Sequence, residues 1–300
     1  MIGEPHRHCR GNTTMIHYTE RLFRPPAEAE SLIFQVALGC PHNTCRFCGM
    51  YKGVPYRVRP PQEVLAEFAH AARRWPEARR VFLADGDVMA LSFERLRTML
   101  EALNRLFPQL ARVNLYANGS SINAASDAEL SALRELKLST LYLGLETGDE
   151  ELLLRVAKGE TAAGMCEAVR RAQAAGLKCS VMVLLGLGGK AGSARHAEAT
   201  AAALNRMQPR LLSALRYVEV PGADMFDGYR TVSEYDAVSE LIRLLRGLEL
   251  TQTVFRANHT SNPVLLEGRL PRDREALIAQ VESLLPRLDQ RGPGRLPFSL

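Results

Sequence analysis

Three cysteines, Cys40, Cys45 and Cys48, lie within nine positions of the segment LGCPHNTCRFCGMYKG, residues 38–53. Three thiolates on one short loop can hold three corners of a cubic iron–sulfur cluster. The fourth iron then lacks a protein ligand, and an open coordination position is what separates catalytic from structural metal sites. A zinc site that recruits His42 as the fourth ligand is one alternative, and a chance grouping of cysteines is another.

The composition of the chain indicates the cellular compartment in which such a site would form. The chain has 300 residues, 46% of them hydrophobic, and it contains no apolar run of the about 18 residues that a membrane span needs. The first residues, MIGEPHRHCRGNTT, lack the apolar middle of a secretion signal. We therefore expect a cytoplasmic protein with no membrane partner. In that compartment six cysteines serve as metal ligands or buried thiols, and Cys166 and Cys179 suit the second role.

A formal charge of +5 raises the question of a nucleic-acid partner. The arginines are scattered through helical segments such as HAARRWPEARR and form no dense basic block. This pattern favours a solvated, arginine-rich surface, so a nucleic-acid partner is not favoured.

Apolar runs typical of strands alternate with amphipathic segments typical of helices. The predicted strands cover 31–38, 79–84, 111–117, 139–146, 177–186 and 211–220. The predicted helical segments cover 61–75, 92–107, 126–137, 148–159, 161–176 and 193–207. Six consecutive βα units predict an α/β protein, either an open doubly wound sheet or a partial barrel. Both folds place functional loops at the carboxyl ends of the strands, where the cysteine loop follows the first one.

The regular alternation stops after Pro221. Two helical segments, 231–249 and 271–290, flank a short irregular piece, TQTVFRANHTSN. We therefore predict three parts: an N-terminal wrap over residues 1–30, partly disordered; a core over 31–222; and a helical extension over 223–300 that covers the core.

Further motifs end the later strands. They are FLADGDVMAL after the second strand, LYANGSS after the third, LYLGLETGDEELLLRVAKG at the fourth, VLLGLGGKAG at the fifth and RYVEVPGADMF at the sixth. Together with the cysteines, they resemble the radical S-adenosylmethionine (SAM) superfamily over residues 31–222. The fourth motif is similar to that of a branch containing the Elongator catalytic subunit, the coproporphyrinogen dehydrogenase group and the methylthiotransferases.

This resemblance implies a partial (β/α)6 TIM-like barrel with a helical C-terminal extension. It also implies that Cys40, Cys45 and Cys48 bind a [4Fe-4S] cluster whose free iron is chelated by SAM. One electron then cleaves SAM into methionine and a 5′-deoxyadenosyl radical, which abstracts hydrogen from a substrate. The commonest spacing in the family is Cys-x3-Cys-x2-Cys, whereas four residues separate Cys40 from Cys45 here.

The resemblance also implies the remaining cofactor-binding residues. Phe47 lies within the cysteine motif, Gly86 and Asp87 match the segment that contacts the SAM amino group, and Asp85 is a second candidate for that contact. Glu146 would accept hydrogen bonds from the ribose, and Lys158 would pair with the SAM carboxylate. The same role of cofactor contact is implied for two further residues, Asn118 and Gly186.

Two residues are candidates for catalysis. Arg216, at the end of the sixth strand, could reach the substrate or the SAM carboxylate. His259 lies in the polar loop FRANHTSNPV, which could fold over the barrel mouth and donate a proton, or serve only as a hydrogen-bonded structural loop.

The sequence thus predicts a radical SAM enzyme acting on a small molecule or peptide, with an external electron donor such as flavodoxin or ferredoxin. A tRNA-modifying radical SAM enzyme is one alternative. Another is a non-catalytic iron–sulfur or haem carrier on the same barrel, with His42, His196 or His259 as haem ligands. A zinc-stabilised interaction protein is a third.

Overall fold

The computed structural model describes Ile16, Tyr18, Thr19 and residues 22–290. Within them, strands and helices alternate along most of the chain. The strands are β1 (Leu32–Gln35), β2 (Ala37–Leu38), β3 (Arg57–Val58), β4 (Arg80–Ala84), β5 (Arg112–Tyr116), β6 (Leu138–Glu146), β7 (Lys178–Leu185), β8 (Leu211–Arg216), β9 (Thr253–Ala257) and β10 (Leu266–Leu270). The helices are α1 (Pro61–Arg74), α2 (Phe93–Leu106), α3 (Gly119–Ala124), α4 (Asp127–Glu135), α5 (Glu150–Arg155), α6 (Ala162–Ala174), α7 (Gly189–Met207), α8 (Glu234–Gly247) and α9 (Arg274–Leu284).

Eight strands form one sheet in the order β1-β4-β5-β6-β7-β8-β9-β10. Neighbouring strands from β1 to β9 are parallel, and β10 pairs antiparallel to β9. In the described residues β1 and β10 do not pair with each other, so the sheet is an open, partial TIM-like barrel. This confirms the predicted fold class. All parallel strands present their carboxyl ends at the same side, which is where the candidate residues cluster.

Alternating side chains give the sheet two packed faces. Phe34, Leu83 and Leu115 belong to the main core, which includes residues of the surrounding helices. Phe82 and Tyr142 point to the opposite, inner face, where their rings pack edge to face at 5.7 Å between centroids. The interior of the barrel is therefore a packed layer of side chains.

The segment before β1 contributes to this interior. Glu28 is 1% exposed and accepts hydrogen bonds from the Asn114 amide at 2.8 Å and the Tyr142 hydroxyl at 2.6 Å. This part of the predicted N-terminal wrap is therefore tied to β5 and β6. Most of residues 1–21, with Cys9 and its neighbouring histidines, lies outside the described residues.

The C-terminal part differs in one respect from the sequence interpretation. Helices α8 and α9 form as predicted, but the piece between them contains β9 and β10, which extend the main sheet beyond β8. The segment Thr253–Ala257 alternates buried and partly exposed residues, which is the period-two pattern of a strand. Among the described residues no helix is both long and apolar enough to cross a membrane.

Candidate functional site

The cysteine loop connects β2 to β3, and β2 follows β1 after a single residue. Cys40, Cys45 and Cys48 are free and partly exposed. Backbone hydrogen bonds fix the loop from both sides: Arg46 N–H donates to the Val156 carbonyl at 2.9 Å, and Asp224 N–H donates to the Arg46 carbonyl at 2.8 Å. The loop is thus held by the end of α5 and by the segment after β8.

Gly86, at the end of β4, packs directly on Cys40. A Cβ atom at position 86 would lie 2.4 Å from the Gly39 carbonyl oxygen and 2.6 Å from the Cys40 Cα, so only glycine fits. The Gly86 N–H donates to the Tyr51 hydroxyl at 3.1 Å. The structure therefore brings the predicted Gly86 next to the first cysteine.

Asp85 lies on the inner side of this contact and is fully buried. Its carboxylate accepts hydrogen bonds from the Gln35 amide at 2.6 Å and from the Tyr51 hydroxyl at 3.3 Å. Burial, reinforced by the Asp85 charge, raises the pKa of Tyr51 and keeps it a neutral donor.

Asp87 joins the ends of β4 and β5. Its oxygens accept hydrogen bonds from the Asn118 N–H at 3.2 Å and the Ser121 hydroxyl at 2.5 Å. Burial raises the pKa of Asp87, and the hydrogen bonds from Ser121 and Asn118 oppose that rise. Asn118 immediately precedes α3, so Asn118 and Gly119 form the start of a short helix.

Glu146 and Lys158 form a buried ion pair beside the cysteines. The Lys158 ammonium donates to Glu146 Oε1 at 3.2 Å, and the two residues are 8% and 9% exposed. Burial lowers the pKa of Lys158, but the Glu146 carboxylate and the Cys45 sulfur outweigh it, so the net pKa is raised. For the Cys45 thiol, burial has the opposite effect: it raises the pKa to about 11, although the Lys158 charge lowers it. The hydrogen bond from Arg46 N–H to the Val156 carbonyl joins the cysteine loop to the segment that carries Lys158, which places the pair beside that loop.

The backbone at Glu146 has a φ of 62°, in the left-handed region. Its side chain folds back over Gly144, where a Cβ atom would lie 1.8 Å from Glu146 Oε1. Gly144 is therefore required for this position of the carboxylate. A lone glycine inside a strand signals such a close approach, and the sequence interpretation overlooked it.

Gly186, after β7, has a φ of 82° and a Cβ there would lie 2.4 Å from Val232 Cγ2. Its N–H donates to Glu240 Oε1 at 2.6 Å, and its carbonyl accepts from the Tyr229 hydroxyl at 3.1 Å. Gly186, which the resemblance assigned to cofactor contact, therefore forms a bend at the end of β7. Its support by Glu240 of α8 was not foreseen, because nothing in the sequence links residues so far apart.

An apolar wall lies against two of the cysteines. Phe47, Leu187, Tyr217 and Phe226 belong to this cluster, with Cys45 and Cys48 packed against it. The Arg155 guanidinium covers Phe226 at 3.7 Å from the ring centroid. The wall excludes water from one side of the thiols, which strengthens electrostatic interactions there.

Arg216, the last residue of β8, and His259 both contact Ser261. Arg216 is 5% exposed and its Nε donates to the Ser261 carbonyl at 2.7 Å, while His259 Nδ1 lies 2.8 Å from Ser261 Oγ. The Asn262 amide group accepts from Arg216 N–H at 2.8 Å and donates to the Ala214 carbonyl at 2.9 Å, which fixes the loop to β8. Burial lowers the pKa of both Arg216 and His259.

The donor set fits an iron–sulfur cluster. Three thiols lie on one rigid loop, and the cradle formed by Gly86 lets a neighbouring backbone approach Cys40 closely. In the part of the chain that is described, no three His, Cys, Asp or Glu side chains converge as ligands of a single metal ion. A cubane uses one sulfur per iron and needs no such convergence.

The histidines of the alternative hypotheses have other partners. His42 Nε2 lies 2.9 Å from the Ala157 carbonyl, and no mononuclear zinc site with the cysteines is preformed in the described residues. His196 is 1% exposed, with its ring nitrogens facing Thr147 and Glu240. A haem could reach His196 only by breaking these contacts.

A parallel barrel with an open three-thiol site at its strand ends defines a class of metal-cluster barrel enzymes. The family model described as the radical SAM superfamily matches residues 34–192, more than half of the chain. This chain therefore belongs to the radical SAM superfamily, whose members use a [4Fe-4S] cluster and SAM.

Solved structures agree in fold. Methylornithine synthase PylB is 17% identical with a TM-score of 0.52, covering 88% of this chain and 83% of PylB. The FeFe-hydrogenase maturase HydG from Carboxydothermus hydrogenoformans is 18% identical with a TM-score of 0.50, covering 84% of this chain and 67% of HydG. The radical SAM methyltransferase TsrM from Kitasatospora setae, solved with cobalamin and a [4Fe-4S] cluster, is 18% identical with a TM-score of 0.51. That match covers 62% of this chain and 36% of TsrM. No curated protein matches this chain.

Proposed function

We propose that this protein reductively cleaves SAM at a [4Fe-4S] cluster held by Cys40, Cys45 and Cys48. The cluster would supply the electron that converts SAM to methionine and a 5′-deoxyadenosyl radical, which abstracts hydrogen from an organic substrate. The observation that carries the proposal is the buried Glu146–Lys158 pair, in a chain of this family, on the segment that the Arg46–Val156 hydrogen bond joins to the cysteine loop.

The charges of that pair suit SAM. Lys158 offers a cation to the SAM carboxylate, and Glu146 offers acceptors to the ribose hydroxyls. Asp85, Gly86 and Asp87 would receive the SAM ammonium at the end of β4. The bend at Gly186, Phe47 and Asn118 would complete the contacts to the nucleotide.

Arg216 and His259 are proposed to act on the substrate. They lie together at the carboxyl end of β8, fixed by Ser261 and Asn262. Burial favours the neutral form of His259, which can accept or donate a proton. Arg216 would position an anionic group or the SAM carboxylate.

The proposed substrate is a small molecule or a peptide, and the proposed electron donor is a flavodoxin or ferredoxin. Several exposed arginines pair with acids, either on the same helix, as Arg97 does with Glu94, or on another element, as Arg243 does with Glu198. Such pairs neutralise the surface that would otherwise attract a nucleic acid. Salt-sensitive retention of tRNA by the purified protein would overturn this choice of substrate.

The decisive experiment is anaerobic incubation of the reconstituted protein with SAM and a strong reductant. We expect 5′-deoxyadenosine by mass spectrometry, together with about four irons and four sulfides per chain. Protein that contains one zinc and no sulfide, or that carries the cluster but never yields 5′-deoxyadenosine, would contradict the proposal.

A further inference from the structure

A buried chain of hydrogen bonds connects α8 to the ends of β6 and β7. Glu240 Oε1 accepts the Gly186 N–H at 2.6 Å, and Oε2 accepts the Ser193 hydroxyl at 2.5 Å. His196 Nε2 lies 3.3 Å from Glu240 Oε1. On the other side of the ring, His196 Nδ1 lies 2.7 Å from the Thr147 hydroxyl. Glu240 thus reaches the residue that follows Glu146.

Each hydrogen bond in this network can be assigned one donor and one acceptor. If His196 Nε2 carries the proton, it donates to the Glu240 carboxylate while Nδ1 accepts from the Thr147 hydroxyl. The Thr147 oxygen in turn accepts the Asp149 N–H at 3.0 Å. Every side chain of this network then has a hydrogen-bond partner. The network therefore fixes the ends of β6 and β7 in one arrangement.

Burial makes this arrangement specific. Glu240 and His196 are each 1% exposed, and a buried carboxylate is costly unless several donors satisfy it. The three donors come from Gly186, Ser193 and His196, so the carboxylate is satisfied only when α7, α8 and the Gly186 bend are in place. The same bend has a positive φ at Gly186, which glycine adopts without a steric penalty.

We propose that Glu240 is a positioning residue for nucleotide binding. It fixes the Gly186 bend directly, and through His196 and Thr147 it fixes the turn that carries Glu146. The C-terminal extension, outside the predicted core of residues 31–222, is therefore part of the support of the SAM site. The positioning of the two strand ends stands on the hydrogen bonds alone, whereas its effect on SAM rests on the proposed function.

Hydrogen–deuterium exchange on the apo protein tests the linkage without any cofactor. Glu240→Gln keeps the shape but replaces one acceptor oxygen with an NH2 group, so one of the donors from Gly186 and Ser193 loses its acceptor. We expect exchange about tenfold faster at residues 144–149 and at 184–189, as for a buried polar group left unsatisfied. Thr147→Val should accelerate only 144–149. The control is Glu198→Gln, which breaks the exposed Arg243–Glu198 pair between the same two helices and should change neither segment.

Anaerobic calorimetry with SAM on the reconstituted variants gives the second measurement. We expect about tenfold weaker SAM binding for Glu240→Gln and wild-type affinity for Glu198→Gln.

Unchanged exchange in both segments of a folded Glu240→Gln variant would overturn the inference, as would wild-type SAM affinity in that variant. If Glu240→Gln does not fold, Ser193→Ala must accelerate exchange at 184–189 for the inference to stand. A wild-type protein that binds no SAM would remove the proposed function, and the exchange pattern would still decide the positioning.

Discussion

The Lys158 ammonium and the Glu146 carboxylate lie 3.2 Å apart, and both side chains are about nine-tenths buried. They are twelve positions apart in the sequence, and α5 brings them together beside the cysteine loop. Each charge compensates the other, so removing one leaves its partner buried without compensation.

Glu146→Gln should therefore reduce both stability and SAM affinity. We expect the free energy of unfolding to fall by about 3 kcal/mol, because Lys158 is left as a buried, uncompensated cation. Urea denaturation and anaerobic calorimetry with SAM measure the two effects. The double variant Glu146→Gln/Lys158→Met should recover part of the stability without recovering SAM binding. Wild-type SAM affinity in the double variant would argue against the assigned contacts.

Gly86→Ala should disrupt the cysteine loop. The added methyl group meets backbone atoms of Gly39 and the Cα of Cys40, which cannot move as a flexible side chain would. Iron and sulfide content after reconstitution should fall well below that of the wild type. The matched control is Gly192→Ala in α7, where an added Cβ atom meets no other atom within 4 Å. This substitution should stabilise the helix by up to about 1 kcal/mol, because alanine has a higher helix propensity than glycine. Full cluster loading in Gly86→Ala would show that the contact is not required.

Cys45→Ala should abolish both the cluster and 5′-deoxyadenosine formation, because two remaining thiols cannot hold the cubane. Cys166→Ala is the control, since Cys166 is buried on α6 and donates to the Ala203 carbonyl at 3.5 Å. Its iron content and turnover should match the wild type. Full turnover by Cys45→Ala would refute the metal assignment.

Tyr51→Phe should loosen the contact between the cysteine loop and β4. The hydroxyl accepts from Gly86 N–H and donates to Asp85, so its loss leaves buried polar groups unsatisfied at a cost of about 1–3 kcal/mol. Thermal unfolding and iron retention under a chelator measure the effect. Tyr56→Phe, at an exposed position of the same loop, should behave as the wild type. Equal behaviour of the two variants would show that the Tyr51 hydroxyl contributes nothing.

The sequence predicted those parts of the fold that local patterns determine. The first of the six apolar runs became β1 and β2, and the other five became β4, β5, β6, β7 and β8. The amphipathic segments became helices between them. Motifs at the ends of those strands met in space because parallel strands end on one side of the sheet. Cys166 and Cys179 are buried thiols, as predicted.

The remaining features depend on distant contacts. Tyr51 is placed by β4, and Glu240 is placed by α7 and by the bend after β7, so neither role has a local signature. The strand β9 was overlooked because five residues with a short alternation are weak evidence until a neighbour such as β8 pairs with them. Gly144 had a local signal, but its meaning required knowing where the Glu146 side chain points.

The hydrogen bond from Asp224 to the carbonyl of Arg46 has a consequence for biogenesis. A ribosome exposes the metal-binding thiols long before it has synthesised the residues that hold their loop in shape. We expect the loop to take its final shape, and to bind iron stably, only after the residues that follow β8 have been synthesised. A shortened chain ending before β8 should accordingly lose its iron on desalting, whereas the full-length chain should keep it.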